Sequence, residues 1–84
     1  MNAQEHWMPL PLAKLGEAVR VMALSRGRDL EKRLMSMGIA PGSELRLIQQ
    51  EGANLVVAIG RARIALGHGL AQKILVTPLN PPTH

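Results

Sequence analysis

Apolar residues recur at helical spacing in one short segment, residues 30–37. Leu30, Leu34 and Met37 are separated by four and then three positions, so they lie on one face of a helix, while charged residues occupy the other faces. A helix with one apolar face needs an apolar surface to cover. We therefore predict that residues 30–37 form an amphipathic helix whose three apolar residues belong to the core.

The sequence also indicates where this helix begins and ends. Asp29 precedes it, and its carboxylate can accept hydrogen bonds from the first free backbone N–H groups. Gly38 can adopt the left-handed conformation after the last turn, and Pro41 prevents the helix from resuming. Pro41 and Gly42 are then predicted to form a turn that leads into a strand.

Much of the remaining chain alternates apolar and polar residues over short segments, which is the period of a half-buried β-strand. In the first such segment Val19, Val21 and Ala23 are expected to point inwards. Gly60-Arg61 is a predicted two-residue hairpin turn, with glycine where a positive φ is needed. Helical spacing returns for one to two turns before the last strand. The predicted strands are residues 18–24, 44–50, 55–59, 62–66 and 74–78.

These elements predict a mainly β fold: a small five-stranded barrel with one inserted amphipathic helix and one short C-terminal helix. A barrel is favoured over an open sheet because a chain of 84 residues could not cover the edges of an open sheet. We expect a single domain over residues 13–79 and a disordered tail over residues 80–84. Residues 1–12 are expected to be a flexible lead-in, because Pro9 and Pro11 block regular structure.

Composition limits the classes of partner. The chain has no cysteine, so neither a disulfide nor a thiolate metal site can support the core. Ten Lys and Arg against six Asp and Glu give a net charge of +4, which suits an acidic protein, a nucleic acid or an anionic membrane surface. Trp7 is the only aromatic residue, so neither a base-stacking platform nor an aromatic groove for proline-rich peptides can be assembled.

No segment has the pattern of a signal peptide or a membrane span. The N-terminal residues lack a basic flank followed by an apolar run, and the longest apolar segment within the domain is residues 55–59. A spanning helix needs about 20 apolar residues. We therefore expect a cytoplasmic protein without direct membrane insertion.

Two segments, LEKRLMSMGIAPGSELRLI and AIGRARIALGHGLAQKILV, resemble the FeoA family, the small cytosolic component of bacterial ferrous iron uptake. The resemblance extends from about Leu15 to Pro78 and includes the helix ending in Met37-Gly38-Ile39, the Pro41-Gly42 turn and the Gly60 hairpin. It implies an SH3-like β-barrel with inserted helices and no known enzymatic reaction of its own. It further implies action through FeoB, the membrane permease with a cytoplasmic GTP-binding domain. We predict no cofactor.

The residues themselves indicate no catalytic site. The three serines have no nearby His and acid in sequence that would suggest a triad. Gly67-His68-Gly69 matches only the start of a dinucleotide-binding motif, because Gln72 stands where the third glycine is required. We interpret this tripeptide as a loop and the entry to a short helix.

Metal-ligating residues are few and scattered. None of the three histidines, His6, His68 and His84, lies at a helical i, i+4 spacing from another His or a carboxylate. We predict no dedicated metal site. Opportunistic surface binding of a metal ion by Glu5 and His6, or by His68, is left open.

The basic residues are the best candidates for partner binding, because several alternate with inward aliphatic residues on predicted strands and others lie in exposed turn or helix positions. The candidate set is Arg20, Arg28, Lys32, Arg33, Arg46, Arg61 and Arg63. A dedicated patch would meet acidic residues of the FeoB cytoplasmic domain, with binding that weakens as salt rises. Ordinary solvation of a small protein is the alternative explanation. A nucleic-acid-binding barrel is the alternative function, and the missing aromatics and scattered charge count against it.

Overall fold

The computed structural model describes residues 7–25 and 27–79. Short strands joined by tight turns make up most of this part of the chain. The strands are β1 (Met8–Pro9), β2 (Ala18–Leu24), β3 (Glu44–Glu51), β4 (Asn54–Ile59), β5 (Ala62–Gly67) and β6 (Ile74–Pro78). The helices are a 3-10 helix (Leu10–Leu12), α1 (Arg28–Ser36) and α2 (His68–Ala71). No described helix is long and apolar enough to cross a membrane.

All six strands belong to one antiparallel sheet with the order β1-β6-β2-β3-β4-β5. Aliphatic residues from five of the strands and from α1 form a single buried cluster, so the sheet bends around one core. The mainly β fold with two α-helices is confirmed. The five predicted strands are present, and β1 is a sixth that the alternation did not indicate.

The predicted flexible lead-in of residues 1–12 does not hold for residues 8–12, which form β1 and the 3-10 helix. Met8 and Pro9 pair with Val76 and Leu75 of β6, and the side chain of Leu10 is fully buried. Both prolines are tolerated for local reasons. Pro9 lies in an edge strand, where proline is tolerated, and Pro11 lies in the first turn of the 3-10 helix, where N–H groups have no intrahelical partner.

The N-terminus of α1 also differs from the prediction. Gly27, with φ of 139°, precedes the helix, and Asp29 is its second residue and makes no capping hydrogen bond. Because glycine can adopt this φ, the chain enters the helix two residues earlier than the apolar spacing suggested. The prediction that Asp29 caps the helix is therefore wrong. Its carboxylate still lies in the first turn, where a negative charge is favoured by the helix dipole.

The C-terminus of α1 is a Schellman motif. The N–H of Ile39 donates to the carbonyl of Leu34 at 2.9 Å, and the N–H of Gly38 donates to the carbonyl of Met35 at 2.9 Å. Gly38 supplies the required left-handed conformation, with φ of 85°. Leu34 and Ile39 are both fully buried, whereas Leu30 and Met37 are half-buried against the core.

A β-bulge changes the inward pattern of β2. Val19 and Val21 are fully buried as predicted, but the pairing with β6 shifts between Val21 and Ala23. Ala23 is only half-buried, and Leu24 packs against the core. The extra residue reverses the alternation beyond the bulge. The prediction that Ala23 points inwards is therefore wrong.

The two sheet edges, β1 and β5, approach each other through helical segments. The 3-10 helix directly follows β1, α2 directly follows β5, and the two segments contact each other. Leu10 and Ala71, one from each segment, are fully buried. Side-chain packing, with no backbone pairing between β1 and β5 among the described residues, thus closes this end of the bent sheet.

Candidate docking surface

The predicted partner-binding residues form two separate groups. Arg20, Arg46 and Arg63 lie on strands of the sheet, and Arg61 occupies the turn between β4 and β5. The other group lies on α1 and consists of Arg28, Lys32 and Arg33. All seven are exposed.

The strand register aligns two of the arginines across the sheet. Ala18 lies opposite Arg46, Arg46 opposite Ala58, and Ala58 opposite Arg63. Residues directly opposite each other on neighbouring strands share one face, so these four form a row, which we call the arginine row. Adjacent strands are about 4.8 Å apart, so the Arg46 and Arg63 backbones are separated by roughly 10 Å with one small side chain between them.

The arginine row lies on the outer face of the sheet. Leu45 and Leu47, which flank Arg46 in β3, are buried, and Val57 beside Ala58 is buried as well. Their alternation with exposed residues directs the arginines away from the core. Arg46 lies on β3, which pairs with a strand on each side, whereas Arg63 lies on the edge strand β5.

An open depression of about 340 Å³ lies against this row. Its floor is made of small residues, because Ala18, Ala58 and Gly60 offer little side-chain volume, and Arg46 and Glu44 stand beside them. The lining residues are Ala18, Glu44, Leu45, Arg46, Ala58 and Gly60. Gly60 was predicted only as a turn residue, and Ala18 and Ala58 were given no surface role, although their outward positions beside arginines are the signal that could have found them.

Arg20 forms an ion pair with Glu44. Its Nη2 atom donates to Oε2 of Glu44 at 3.0 Å, and the two side chains are 47% and 58% exposed. This is the one ion pair within the described residues. Arg46, Arg61 and Arg63 therefore have no carboxylate partner in this part of the chain, and their charges face solvent.

A second depression, of about 280 Å³, lies between α1 and α2. Half-buried Leu30 and Leu70 contribute apolar surface, while Arg33 and Lys73 contribute positive charge. The lining residues are Asp29, Leu30, Arg33, Gly69, Leu70 and Lys73. Lys73 was outside the predicted set, and the shared depression of the two helices could not be expected from local sequence.

The loop between α1 and β3 is tied to itself and to β2. The Ser43 hydroxyl donates to the carbonyl of Gly38 at 3.0 Å and accepts from the N–H of Ala40 at 3.1 Å. The N–H of Gly42, whose φ is 97°, donates to the carbonyl of Val21 at 2.8 Å, while Pro41 is exposed. The turn at Pro41 and Gly42 was predicted from the sequence, whereas the role of Ser43, which links the two ends of the loop, was not.

The hairpin that carries Arg61 is fixed by Gly60. Ile59 lies opposite Ala62, so Gly60 and Arg61 are the only two residues of the turn. Gly60 has φ of 58°, and no residue other than glycine has a positive φ in the described chain. This combination is that of a type II′ turn, whose twist matches the flanking strands.

No group of three or more metal-ligating side chains occurs within residues 7–25 and 27–79. His68 is half-buried at the start of α2. Glu5 and His6, the other residues considered for opportunistic metal binding, lie outside the described residues, as does the predicted tail of residues 80–84.

Comparison with known proteins gives consistent results. The model of the FeoA domain family matches residues 8–78. A protein of Methanocaldococcus jannaschii named "Putative Fe(2+) transport protein A" is 41% identical over 68 residues, which cover 81% of this chain and 83% of that protein.

Solved structures share the fold. A crystal structure of an iron uptake regulatory protein (FeoA) has a TM-score of 0.80 at 29% identity, over 87% of this chain and 97% of that one. A manganese-dependent transcriptional repressor has a TM-score of 0.79 at 28% identity, over 87% of this chain but only 42% of the repressor. The predicted SH3-like fold is thereby confirmed.

Proposed function

This chain belongs to the FeoA domain family, and we propose that it is a non-enzymatic accessory protein of ferrous iron uptake that binds the cytoplasmic part of the FeoB permease. The observation that carries the proposal is the 41% identity to a protein named as an Fe(2+) transport protein, over most of both chains. An accessory protein of this kind works in the cytoplasm and is recruited to the inner face of the membrane by its partner.

The arginine row supports the choice of contact surface. Arg46 and Arg63 project from strands of the sheet, and neither has a carboxylate partner among the described residues. A guanidinium group fits a carboxylate in a bidentate geometry, and its planar form loses less conformational freedom per hydrogen bond than a lysine ammonium group does. An acidic surface of the permease is the complementary partner, and opposite charges also accelerate encounter.

Co-purification with the isolated cytoplasmic part of FeoB tests the proposed partner. We expect association at low salt that weakens as salt rises, because exposed charges are screened within about 10 Å at 0.1 M salt. A deletion strain is expected to take up less ferrous iron and to recover when the gene is restored. Absence of association at low salt, together with normal uptake in the deletion strain, would refute the proposal.

A further readout separates three possible effects on the permease. GTP hydrolysis by the cytoplasmic part, ferrous iron flux through the complete permease and the size of the permease complex are each measured with and without this chain. An effect on flux or complex size at unchanged GTP hydrolysis would assign the chain to gating or assembly. Acceleration of GTP hydrolysis would assign it to activation.

A further inference from the structure

The two edges of the sheet are protected to very different degrees. β1 has two residues and contains Pro9, which cannot donate a backbone hydrogen bond to a further strand. β5 has six residues, contains no proline and pairs with β4 without a register shift. Natural edge strands are usually shortened, bulged, covered, charged or interrupted by proline. β5 carries one charge, Arg63, and the contact of α2 with the 3-10 helix lies beyond its C-terminal end, after Gly67.

The backbone groups that β5 presents to this edge follow from the hairpin. The closing pair of a two-residue hairpin, here Ile59 and Ala62, is hydrogen-bonded, and hydrogen-bonded pairs then alternate along the ladder. Ile64 and Leu66 therefore bond to β4. The N–H and C=O groups of Arg63 and Ala65 face outwards, and both residues are exposed.

We propose that the β5 edge accepts an extended segment of a partner protein as an additional strand, and that this segment alternates acidic and apolar residues. The proposal rests on the proposed function only for the identity of the natural partner. The free N–H and C=O groups of Arg63 and Ala65 supply the main-chain hydrogen bonds of such an added strand.

The side chains of β5 specify the pattern of the added segment. Arg63 points to the outer face, so an acidic residue opposite it on the added strand would be attracted by Arg63 directly, while Arg46, two strands further away, adds only a weak screened attraction. Ile64 points to the other face and is half-buried against the core. An apolar residue next to it extends that core, which gives the alternation of acidic and apolar positions.

Charge disfavours a second copy of this chain as the occupant. The chain carries a net charge of +4, and Arg46, Arg61 and Arg63 are concentrated near this edge without an ion-pair partner among the described residues. Two such edges brought together would place like charges close to each other, which is destabilising. An acidic strand removes that repulsion.

Titration with synthetic peptides tests the proposal on the complete chain. The probe is a peptide of about eight residues, a typical strand length, in which Glu alternates with Val, and the control peptide alternates Lys with Val. We expect slower amide hydrogen exchange at Arg63 and Ala65 when the Glu peptide is bound. Equal binding of the two peptides, or protection confined to α1 and α2, would overturn the proposal.

A pair of variants isolates the backbone contribution. Ala65→Pro removes an outward N–H group without removing a bond to β4, whereas Ala65→Thr keeps that group in a residue suited to strands. The proline variant is expected to weaken peptide binding by about tenfold or more, and the threonine variant to bind as the unaltered chain does. Unchanged binding by the proline variant would contradict the proposal. If that variant does not fold, the exchange pattern of the unaltered chain decides.

The same measurements separate the two proposals. Binding of the Glu peptide at β5 without association of the permease fragment would refute the proposed partner and leave the edge site standing. Association of the fragment with amide protection elsewhere than β5 would refute the edge site and leave the proposed partner standing.

Discussion

Replacing Gly38 by alanine tests whether the end of α1 is fixed by backbone conformation. Gly38 has φ of 85°, and a Cβ atom built there lies 3.8 Å from Cγ2 of Ile59, an ordinary contact distance. The substitution therefore causes no clash, and its effect comes from forcing alanine into the left-handed region. That conformation is unfavourable for non-glycine residues by about 1–2 kcal/mol, so Gly38→Ala is expected to lower the free energy of unfolding by about this amount.

Gly69 offers a matched control for the same chemical change. It lies inside α2, its φ is not positive, and a Cβ atom there has no neighbour within 4 Å. Glycine is less favourable than alanine within a helix by about 0.5–1 kcal/mol, so Gly69→Ala is expected to be stabilising.

Thermal unfolding of the two variants and the unaltered chain gives the answer. In a domain of this size 1 kcal/mol changes Tm by about 4–8 °C, so the two variants are expected to differ from the unaltered chain in opposite directions by measurable amounts. If Gly38→Ala were as stable as the unaltered chain, the Schellman motif would not be what ends the helix, and the reasoning would be refuted.

Three further substitutions probe the core, the loop and the surface. Leu34→Ala removes a fully buried side chain and should lower the free energy of unfolding by about 2–5 kcal/mol. Met35 is the next residue and is 59% exposed, so Met35→Ala should change the free energy of unfolding by about 0.5 kcal/mol or less. Urea unfolding distinguishes the two variants, and equal effects would contradict the assigned helix face. Ser43→Ala should be destabilising by about 1–2 kcal/mol in the same assay, because it removes the hydroxyl that bonds to both ends of the loop, and an unchanged midpoint would show that the loop does not depend on these bonds. A double-mutant cycle of Arg20→Ala and Glu44→Ala should give a coupling free energy below about 1 kcal/mol that decreases with salt, since both side chains are exposed. A larger coupling free energy that does not depend on salt would contradict the weak surface ion pair.

Local signals predicted the bounds of two strands. β2 and β6 have the predicted bounds because their alternation ends at turn residues. β1 was missed because its two residues form a strand only through pairing with β6, which lies more than 60 positions away in the chain. The start of α1 was missed for the opposite reason. The conformation of Gly27 decides it, and the apolar spacing does not report on that residue.

The arginine row shows why a surface is harder to predict than an element. The two-residue turn at Gly60 is enough to place Arg63 opposite Ala58. Arg46, however, lies opposite Ala58 only because the register of β3 and β4 shifts between Leu47 and Gln49. Without that bulge Arg46 would lie opposite Ile59, since a one-residue slip changes which residues meet and which face they share. The sequence pattern does not mark this position as a bulge.

Affinity for the cytoplasmic part of FeoB, measured by calorimetry at low salt, tests whether the arginine row is the contact surface. The compared variants are Arg46→Ala with Arg63→Ala, from the arginine row, and Arg28→Ala with Lys32→Ala, which removes the same charge from α1. We expect the first pair to raise Kd by about tenfold or more, equivalent to about 1.4 kcal/mol, and to reduce its salt dependence, while the second pair binds within about twofold of the unaltered chain. Equal losses for both pairs, or a loss only for the α1 pair, would contradict the account.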